Sequence, residues 1–143
     1  MAAPNLPGWL KVVNPVMTFL NRRGLPVGPM EVLTTIGRRS GRPISHPISV
    51  LPVDGERYIC TVGDVAWVLN ARVNPRVRLQ RGHHRYDARL VEVPEPDRAP
   101  ILREFPVQLP RGVGFFRSSL GISGTPESFE QAADRCRVFR IEA

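Results

Sequence analysis

Between residues 30 and 93 the chain alternates short β-branched runs with turn residues, and this pattern restricts the fold more than any other feature. Asp54-Gly55 lies between two such runs and is typical of a two-residue β-hairpin turn. From Arg76 to Arg81, polar side chains alternate with valine and leucine, as in a strand with one buried face. Gly82-His83-His84 then leads into a return strand, Arg85 to Val93. The sequence therefore predicts consecutive antiparallel hairpins.

Further strands are predicted on both sides of these turns. The run from Ile44 to Val53 contains Pro47 and Pro52, and because proline cannot donate a ladder hydrogen bond, we expect an edge, bulged or bent strand. About six short strands favour a mainly β (α+β) fold, a small β-barrel with peripheral helices. The remaining strands are Met30 to Ile36, Arg57 to Val62 and Val138 to Ile141.

Helices are predicted before, within and after the strands. Leu6 to Arg23 is amphipathic, and such a helix either packs on the core or lies on a membrane surface. Val65 to Val73 is predicted as a short helix with Asp64 as its N-cap. A further helix is expected near Ala99 to Val107, and Thr125 is expected to cap another.

The composition excludes several classes of protein. A chain of 143 residues that is 42% hydrophobic is too apolar for a disordered protein and has the length of one domain. The two cysteines, Cys60 and Cys136, lack the spacing of a zinc site, so we predict no metal and expect small core residues. No signal peptide is recognisable, which favours a reducing, cytoplasmic setting.

Charge is the second unusual feature, because 20 lysines and arginines against 13 acidic residues give a net charge of +7. All but one of the 20 are arginine, the side chain that best grips carboxylate and phosphate. The turn from Gly37 to Pro43 is predicted to be either an anion-binding nest with arginines around it or a solvated basic turn. The hairpin from Arg72 to Arg89 is also basic, but Tyr86 is its only aromatic residue, so nucleic acid is not the expected partner.

A strand that ends at Gly63 and passes at once into a helix is the other candidate site. The N–H groups at a helix N-terminus suit a phosphate or the polar edge of a flat ring. Trp67 and Asn70 lie one helical turn apart on the same face, where they either serve such a site or simply anchor the core. His46 is placed to reach a pocket, but no Ser–His–acid arrangement is recognisable.

Two sequence blocks together resemble a known family. They are Thr34-Thr35-Ile36-Gly37-Arg38-Arg39-Ser40-Gly41-Arg42-Pro43 and Trp67-Val68-Leu69-Asn70, the latter followed by Asn74-Pro75-Arg76-Val77. Over roughly residues 30 to 93 the chain resembles the actinobacterial deazaflavin-dependent reductases, often labelled nitroreductases or quinone reductases. Each block alone is weak, but their order and spacing are specific in combination.

This resemblance implies a fold, a coenzyme and an activity. The fold is the FMN-binding-like split β-barrel of flavin reductases, with an N-terminal helix. The coenzyme is F-420, an 8-hydroxy-5-deazaflavin with a phosphate and a polyglutamate tail, with FMN or FAD as the alternative. The activity is hydride transfer to a quinone-like, nitroaromatic or other conjugated acceptor, with coenzyme chemistry in place of a catalytic dyad. A non-catalytic binding protein for a lipid, haem or flavin in the same barrel is the first rival interpretation, and a basic nucleic-acid-binding module is the second.

The resemblance also assigns residues and organisation. Residues 1–143 would form one domain, with a helix in 1–24, the barrel in 30–93, and helices and a last strand in 94–143. The residues themselves predict a monomer or homodimer in the cytoplasm, with the amphipathic N-terminal helix as the candidate contact to the membrane's inner face. Phe115 and Phe116 would line the acceptor pocket, in place of the tyrosines that relatives have there. The residues implied for coenzyme binding are Arg38, Arg39, Ser40, Gly41, Arg42, Pro47, Ile48, Thr61, Val62, Gly63, Trp67 and Asn70.

Overall fold

A computed structural model describes residues 30–143, and these form one antiparallel sheet with helices packed against it. The seven strands are β1 (Met30–Ile36), β2 (Pro43–Ser49), β3 (Leu51–Val53), β4 (Glu56–Val62), β5 (Arg76–Arg81), β6 (His84–Glu92) and β7 (Cys136–Glu142). Their order in the sheet is β2-β1-β5-β6-β7-β4-β3.

The short link between β2 and β3 closes the sheet. These strands form opposite edges, yet only Val50 separates them in the chain. Because consecutive Cα atoms are about 3.8 Å apart, the two edges must meet there, and the sheet curls into a split barrel. The predicted mainly β barrel is confirmed, with seven strands because the run from Ile44 to Val53 is broken in two. Pro47 and Pro52 lie in the two edge strands, as predicted.

Four α-helices and one turn of 3₁₀-helix complete the described part of the chain. They are α1 (Ala66–Val73), α2 (Glu95–Gln108), the 3₁₀ turn (Pro110–Gly112), α3 (Val113–Leu120) and α4 (Pro126–Gln131). Helix α2 begins four residues earlier than predicted, because a proline in the first helical turn displaces no intrahelical hydrogen bond. Thr125 caps α4 as predicted, since its Oγ1 accepts a hydrogen bond from the Ser128 N–H at 3.2 Å.

The predicted N-terminal helix, Leu6 to Arg23, lies outside the described residues. Within residues 30–143, no helix combines the length and the apolar character that crossing a bilayer requires.

Strand β4 separates two apolar cores. Ile59 belongs to the core inside the barrel, and by strand alternation Thr61 faces the same way. The alternate side chains, Tyr58, Cys60 and Val62, pack against the second core, which lies beneath the C-terminal helices. The cysteine prediction is confirmed, because the free thiols of Cys60 and Cys136 both pack in this second core. Burial there raises the pKa of the Cys136 thiol to about 11.

The inward face of β1 carries a polar side chain on either side of the fully buried Leu33. Near the start of the strand, the buried Glu31 carboxylate accepts a hydrogen bond from the Tyr86 hydroxyl at 2.6 Å. Arg57 donates in turn to that hydroxyl at 2.7 Å. Burial, and then the hydrogen bond to Glu31, raise the pKa of Tyr86 to about 12. Near the end of the strand, Thr35 is fully buried and joins the network described below.

The outer face of the β5–β6 hairpin carries most of the arginines of the basic hairpin. Arg76 lies directly opposite Arg89, and both side chains are exposed. In the next pair on this face the charge of Arg78 is neutralised, because Arg78 donates to the Asp87 carboxylate at 3.0 Å. Like charges in a directly opposed pair destabilise a sheet.

Replacing Arg76 with glutamine should therefore raise the melting temperature by about 1–3 °C at low ionic strength. The gain should shrink in 1 M salt, where the Debye length falls to about 3 Å. Arg78→Gln is the matched control, since it removes an ion pair and should not stabilise the protein. Thermal unfolding of both variants at two salt concentrations measures the effect, and a salt-independent gain at Arg76 would contradict the charge explanation.

Candidate functional site

The turn between β1 and β2 is held in shape by its own backbone. The N–H of Gly37 donates to the carbonyl of Arg42 at 2.8 Å, and that of Gly41 donates to the carbonyl of Gly37 at 2.9 Å. Gly41 has a φ of 68°, in the left-handed region that favours glycine. A Cβ on Gly37 would lie 2.6 Å from Ser40 Oγ. Gly41 is therefore needed for its left-handed conformation, and Gly37 for the close approach of Ser40.

Most N–H groups of the turn are used internally. Besides those of Gly37 and Gly41, the Arg42 N–H donates to Ser40 Oγ at 3.2 Å and the Arg38 N–H donates to Asn70 Oδ1 at 3.1 Å. Of the N–H groups in this turn, the consecutive ones of Arg39 and Ser40 have no partner among residues 30–143. Attraction for an anion at this turn therefore comes from two N–H groups and mainly from the arginine side chains.

Asn70 connects the turn to helix α1. Its Oδ1 accepts both the Arg38 N–H and the Arg38 guanidinium, the latter at 3.0 Å, and its Nδ2 donates to Thr35 Oγ1 at 3.3 Å. Asn70 is 1% exposed and Thr35 is fully buried. Both lone pairs of the amide oxygen are thus occupied. Asn70 positions the turn relative to α1, and its contribution to an anion site is made through Arg38.

Replacing Asn70 with alanine should lower the free energy of unfolding by about 2–3 kcal/mol, because a buried amide with three hydrogen bonds is lost. The affinity for F-420, the coenzyme that the resemblance implies, should fall as well, since the turn is then no longer tied to α1. Urea unfolding and an F-420 titration measure the two effects. Asn74→Ala is the matched control, because its Oδ1 accepts one long, exposed bond from the Arg76 N–H and should cost less than about 1 kcal/mol.

The junction between β4 and α1 differs from the predicted one. Asp64 does not cap the helix: the N-cap is Val65, and no side chain caps α1. Asp64 instead accepts from Arg137 Nε at 2.8 Å and pairs with Arg72 at 3.2 Å. The hydrogen bond from Arg137 is the main reason that the pKa of Asp64 is lowered. The predicted helix start is wrong by one residue, and the first N–H groups of α1 have no capping side chain.

Gly63 makes this junction possible. It has a φ of 64°, and its N–H donates to the carbonyl of Arg135 at 3.0 Å. The left-handed conformation turns the chain sharply from β4 toward α1. The strand end and the start of the helix are thereby fixed against the segment that precedes β7.

His46 and Trp67 meet inside the barrel beside this junction. His46 lies opposite the buried Leu33 and on the same face of β2 as Ile48, which belongs to the inner core. Its ring centroid is 6.3 Å from that of Trp67, which in turn lies 5.3 Å from Phe139. The Nε2 atom of His46 is buried and has no hydrogen-bond partner among residues 30–143. Burial also lowers the pKa of His46, so its neutral form is favoured.

The structure brings some of the predicted site residues together and separates others. Arg38 contacts Asn70 directly, and Ile48 and Trp67 share the inner core. The Val62 side chain points to the helical core, so only its backbone faces the junction. The two phenylalanines predicted to line the acceptor pocket differ in exposure: Phe115 is 53% exposed, whereas Phe116 is 2% exposed. Phe116 packs in an aromatic cluster of the second core.

A cavity of about 810 Å³ extends from the turn along the outer face of the sheet. It begins beside Gly41 and Thr34 and passes over β5 and β6. Four arginines line it, namely Arg76, Arg78, Arg85 and Arg89. The lining includes residues of both sequence blocks, Gly41 from the first and Asn74 to Val77 from the second, together with residues of β6 and the C-terminal Glu142 and Ala143.

Comparison with known proteins identifies the family. Residues 18–112 match the family described as "F420H(2)-dependent quinone reductase". The chain belongs to this family of reductases. The reductase is therefore an oxidoreductase that depends on coenzyme F-420. No curated protein shows significant sequence similarity to it.

Solved structures support the same fold. One, described as a domain-swapped dimer, is 19% identical over 92% of this chain and 98% of its own, with a TM-score of 0.58. The F420-H2 dependent reductase FDR-A is 22% identical over 80% of this chain and 94% of its own, with a TM-score of 0.53. HutZ, the heme storage protein of Vibrio cholerae, is 13% identical over 90% of this chain and 87% of its own, with a TM-score of 0.52. At these identities the likeness concerns the fold alone.

The residues of the reductase fit an anionic, partly polar coenzyme. Within residues 30–143, the guanidiniums of Arg38, Arg39 and Arg42 form no ion pair with a carboxylate. Their charge is available to the phosphate and tail of F-420. The uncapped start of α1 and the unpartnered Nε2 of His46 are polar groups suited to the polar edge of a ring.

Proposed function

We propose that the reductase transfers a hydride from reduced F-420 to a small conjugated acceptor, a quinone or a nitroaromatic compound. The observation that carries this proposal is the connection from the basic turn through Asn70 to α1. This connection supports the proposal, because a coenzyme with an anionic tail and a flat ring requires a basic group and an apolar, aromatic-lined site held in a fixed relation.

The phosphate binds at the β1–β2 turn. Arg39 and Arg42 are exposed there and free to make charge-assisted hydrogen bonds, while Arg38 is held in place by Asn70. Ser40 and Gly41 complete the turn, and the two free N–H groups add neutral donors. This arrangement supports an anion site that consists mostly of side chains.

The polyglutamate tail leaves the turn at Gly41 and follows the cavity over the outer sheet face. Three of the arginines along that cavity, Arg76, Arg85 and Arg89, form no ion pair with a carboxylate of residues 30–143. A chain of carboxylates would compensate the opposed pair of Arg76 and Arg89. This path gives the basic hairpin a role that its sequence alone did not indicate.

The deazaflavin ring binds where β2, the end of β4 and the start of α1 meet. Pro47 and Ile48 of β2 lie on one side of this region, and Trp67 supplies an aromatic wall. Thr61, Val62 and Gly63 offer backbone groups to the polar edge of the ring. The uncapped first turn of α1 faces the same junction, and its partial positive charge favours electron-rich ring oxygens.

When bound, the reduced coenzyme supplies the hydride from its C5. The protein orients the ring, excludes water from the barrel side and leaves the opposite side open to the acceptor. Reduction of the acceptor also consumes a proton, which solvent provides. Phe115 is 53% exposed, and we assign to it the contact with the acceptor.

The assembly we propose is a single domain of residues 1–143 that associates as a homodimer. A structurally similar protein described as a domain-swapped dimer supports this assembly.

Anaerobic single-turnover reactions test the proposed activity. Reduced F-420 is mixed with the reductase and either menadione or a nitroaromatic compound, and the return of the oxidised coenzyme is followed by its absorbance. We expect enzyme-dependent oxidation with at least one acceptor, and none with reduced FMN in place of F-420. Tight F-420 binding without turnover of either acceptor would contradict the proposed acceptor class and favour a binding protein.

A further inference from the structure

The unpartnered Nε2 of His46 is the one buried side-chain polar atom of residues 30–143 that the fold leaves without a hydrogen bond. Native proteins pair nearly all such atoms, because leaving one unpaired costs about as much as losing a hydrogen bond. His46 sits on the inward face of β2, between the buried Leu33 across the strand pair and Ile48 further along its own strand. Among residues 30–143, no hydrogen-bond partner accounts for an imidazole at this apolar position.

The position of the ring indicates what the nitrogen serves. The His46 and Trp67 ring centroids are 6.3 Å apart with their planes tilted by 36°. Trp67 lies one helical turn before Asn70, which holds the basic turn. Arg38, Asn70 and Trp67 therefore lead from the exposed turn to the buried nitrogen of His46.

We propose that His46 is a coenzyme-binding residue whose Nε2 forms a hydrogen bond with the polar edge of the bound deazaflavin. The proposal rests on the proposed placement of the ring beside Trp67. In the coenzyme-free protein the unpaired nitrogen lowers the stability of the fold, and in the complex it forms a hydrogen bond. His46 therefore orients the ring and adds affinity without touching the phosphate or the tail.

Substituting His46 separates this role from a structural one. His46→Phe keeps an aromatic ring of similar size and removes the nitrogens. Because an unpaired polar atom is removed, the melting temperature of the coenzyme-free protein should stay the same or rise by about 2–4 °C. The Kd for F-420 should rise about tenfold, the loss expected for one hydrogen bond to a bound ligand.

Two further variants complete the experiment. His46→Gln retains a polar group near the Nε2 position and should recover part of the lost affinity. His83→Phe makes the same change at an exposed turn residue and should alter neither quantity. In the wild-type protein, the ¹⁵N resonance of His46 Nε2 should shift when F-420 is added.

The outcomes are distinguishable. A higher Kd in His46→Phe with an unchanged or higher melting temperature supports the proposal. If the wild type binds F-420 and His46→Phe binds it equally well, the role of His46 is wrong while the proposed function stands. A marked loss of stability in the coenzyme-free variant would assign His46 a structural partner and overturn the proposal. If the ¹⁵N resonance does not move while the wild type binds F-420, the ring lies elsewhere, and both the inference and the proposed ring site fail.

Discussion

Replacing Arg39 and Arg42 together with alanine is expected to weaken F-420 binding at least about 100-fold and to leave the stability of the protein unchanged. Each guanidinium would lose a charge-assisted hydrogen bond to the coenzyme, worth about 1.5–3 kcal/mol, so two losses give a factor of about 100 or more. Both side chains are exposed and make no ion pair within residues 30–143, so folding should not depend on them. Quenching of F-420 fluorescence measures the affinity, and thermal unfolding measures the stability.

A truncated ligand provides the sharpest control for this variant. A deazaflavin that lacks the phosphate and the tail should bind the double variant and the wild type with equal affinity, because it makes no contact with the turn. Arg111→Ala, an exposed arginine in the 3₁₀ turn near the C-terminal helices, should leave F-420 affinity unchanged. Equal affinity of the double variant and the wild type for intact F-420 would place the phosphate and tail elsewhere.

Arg38 is left out of this variant because it has two roles. Its guanidinium donates to Asn70 and its backbone N–H donates to the same oxygen. Arg38→Ala would therefore change the anchoring of the turn together with its charge. Restricting the substitution to Arg39 and Arg42 separates coenzyme binding from the packing of the turn against α1.

The sheet was predictable because its signals are local. Alternating side chains in β5 gave both the strand limits and its buried face, and Asp54-Gly55 adopts the positive φ values of the hairpin turn it predicts. The two prolines in the run from Ile44 to Val53 predicted edge or bent strands, and the break at Val50 puts these prolines in the two edges of the sheet. Each of these signals involves residues that are close in the sequence.

The errors arise where distant residues compete for a group. Asp64 is a residue type that commonly caps helices and stands just before α1, but Arg137, 73 residues further along, binds its carboxylate. The contact between Asn70 and Arg38 spans 32 residues, so the positioning role of Asn70 was not visible in the sequence. The position of Thr35 was predictable, because alternation along β1 places it on the inward face beside Leu33.

Replacing Phe116 with alanine should lower the free energy of unfolding by about 3–5 kcal/mol, which is a large share of the stability of an ordinary domain. The ring is 2% exposed, and its centroid lies 4.6 Å from that of Phe105 and 5.1 Å from that of Phe129. Truncation would leave a cavity between two aromatic rings that the helices cannot readily close. Urea unfolding measures the change.

Phe115→Ala is the matched change on the next residue of the same helix. Its ring is 53% exposed and meets Phe116 edge-on at 5.5 Å, so its loss should cost only about 0.5–1.5 kcal/mol. If Phe115 contacts the acceptor, this variant should change the ratio of kcat/KM for a quinone and a nitroaromatic compound and leave the Kd for F-420 unchanged. Since the two variants remove the same atoms, a difference between them reflects position alone. A variant at Phe115 that loses stability as Phe116→Ala does, with no change in acceptor preference, would make both residues part of the core and leave the acceptor contact to another surface.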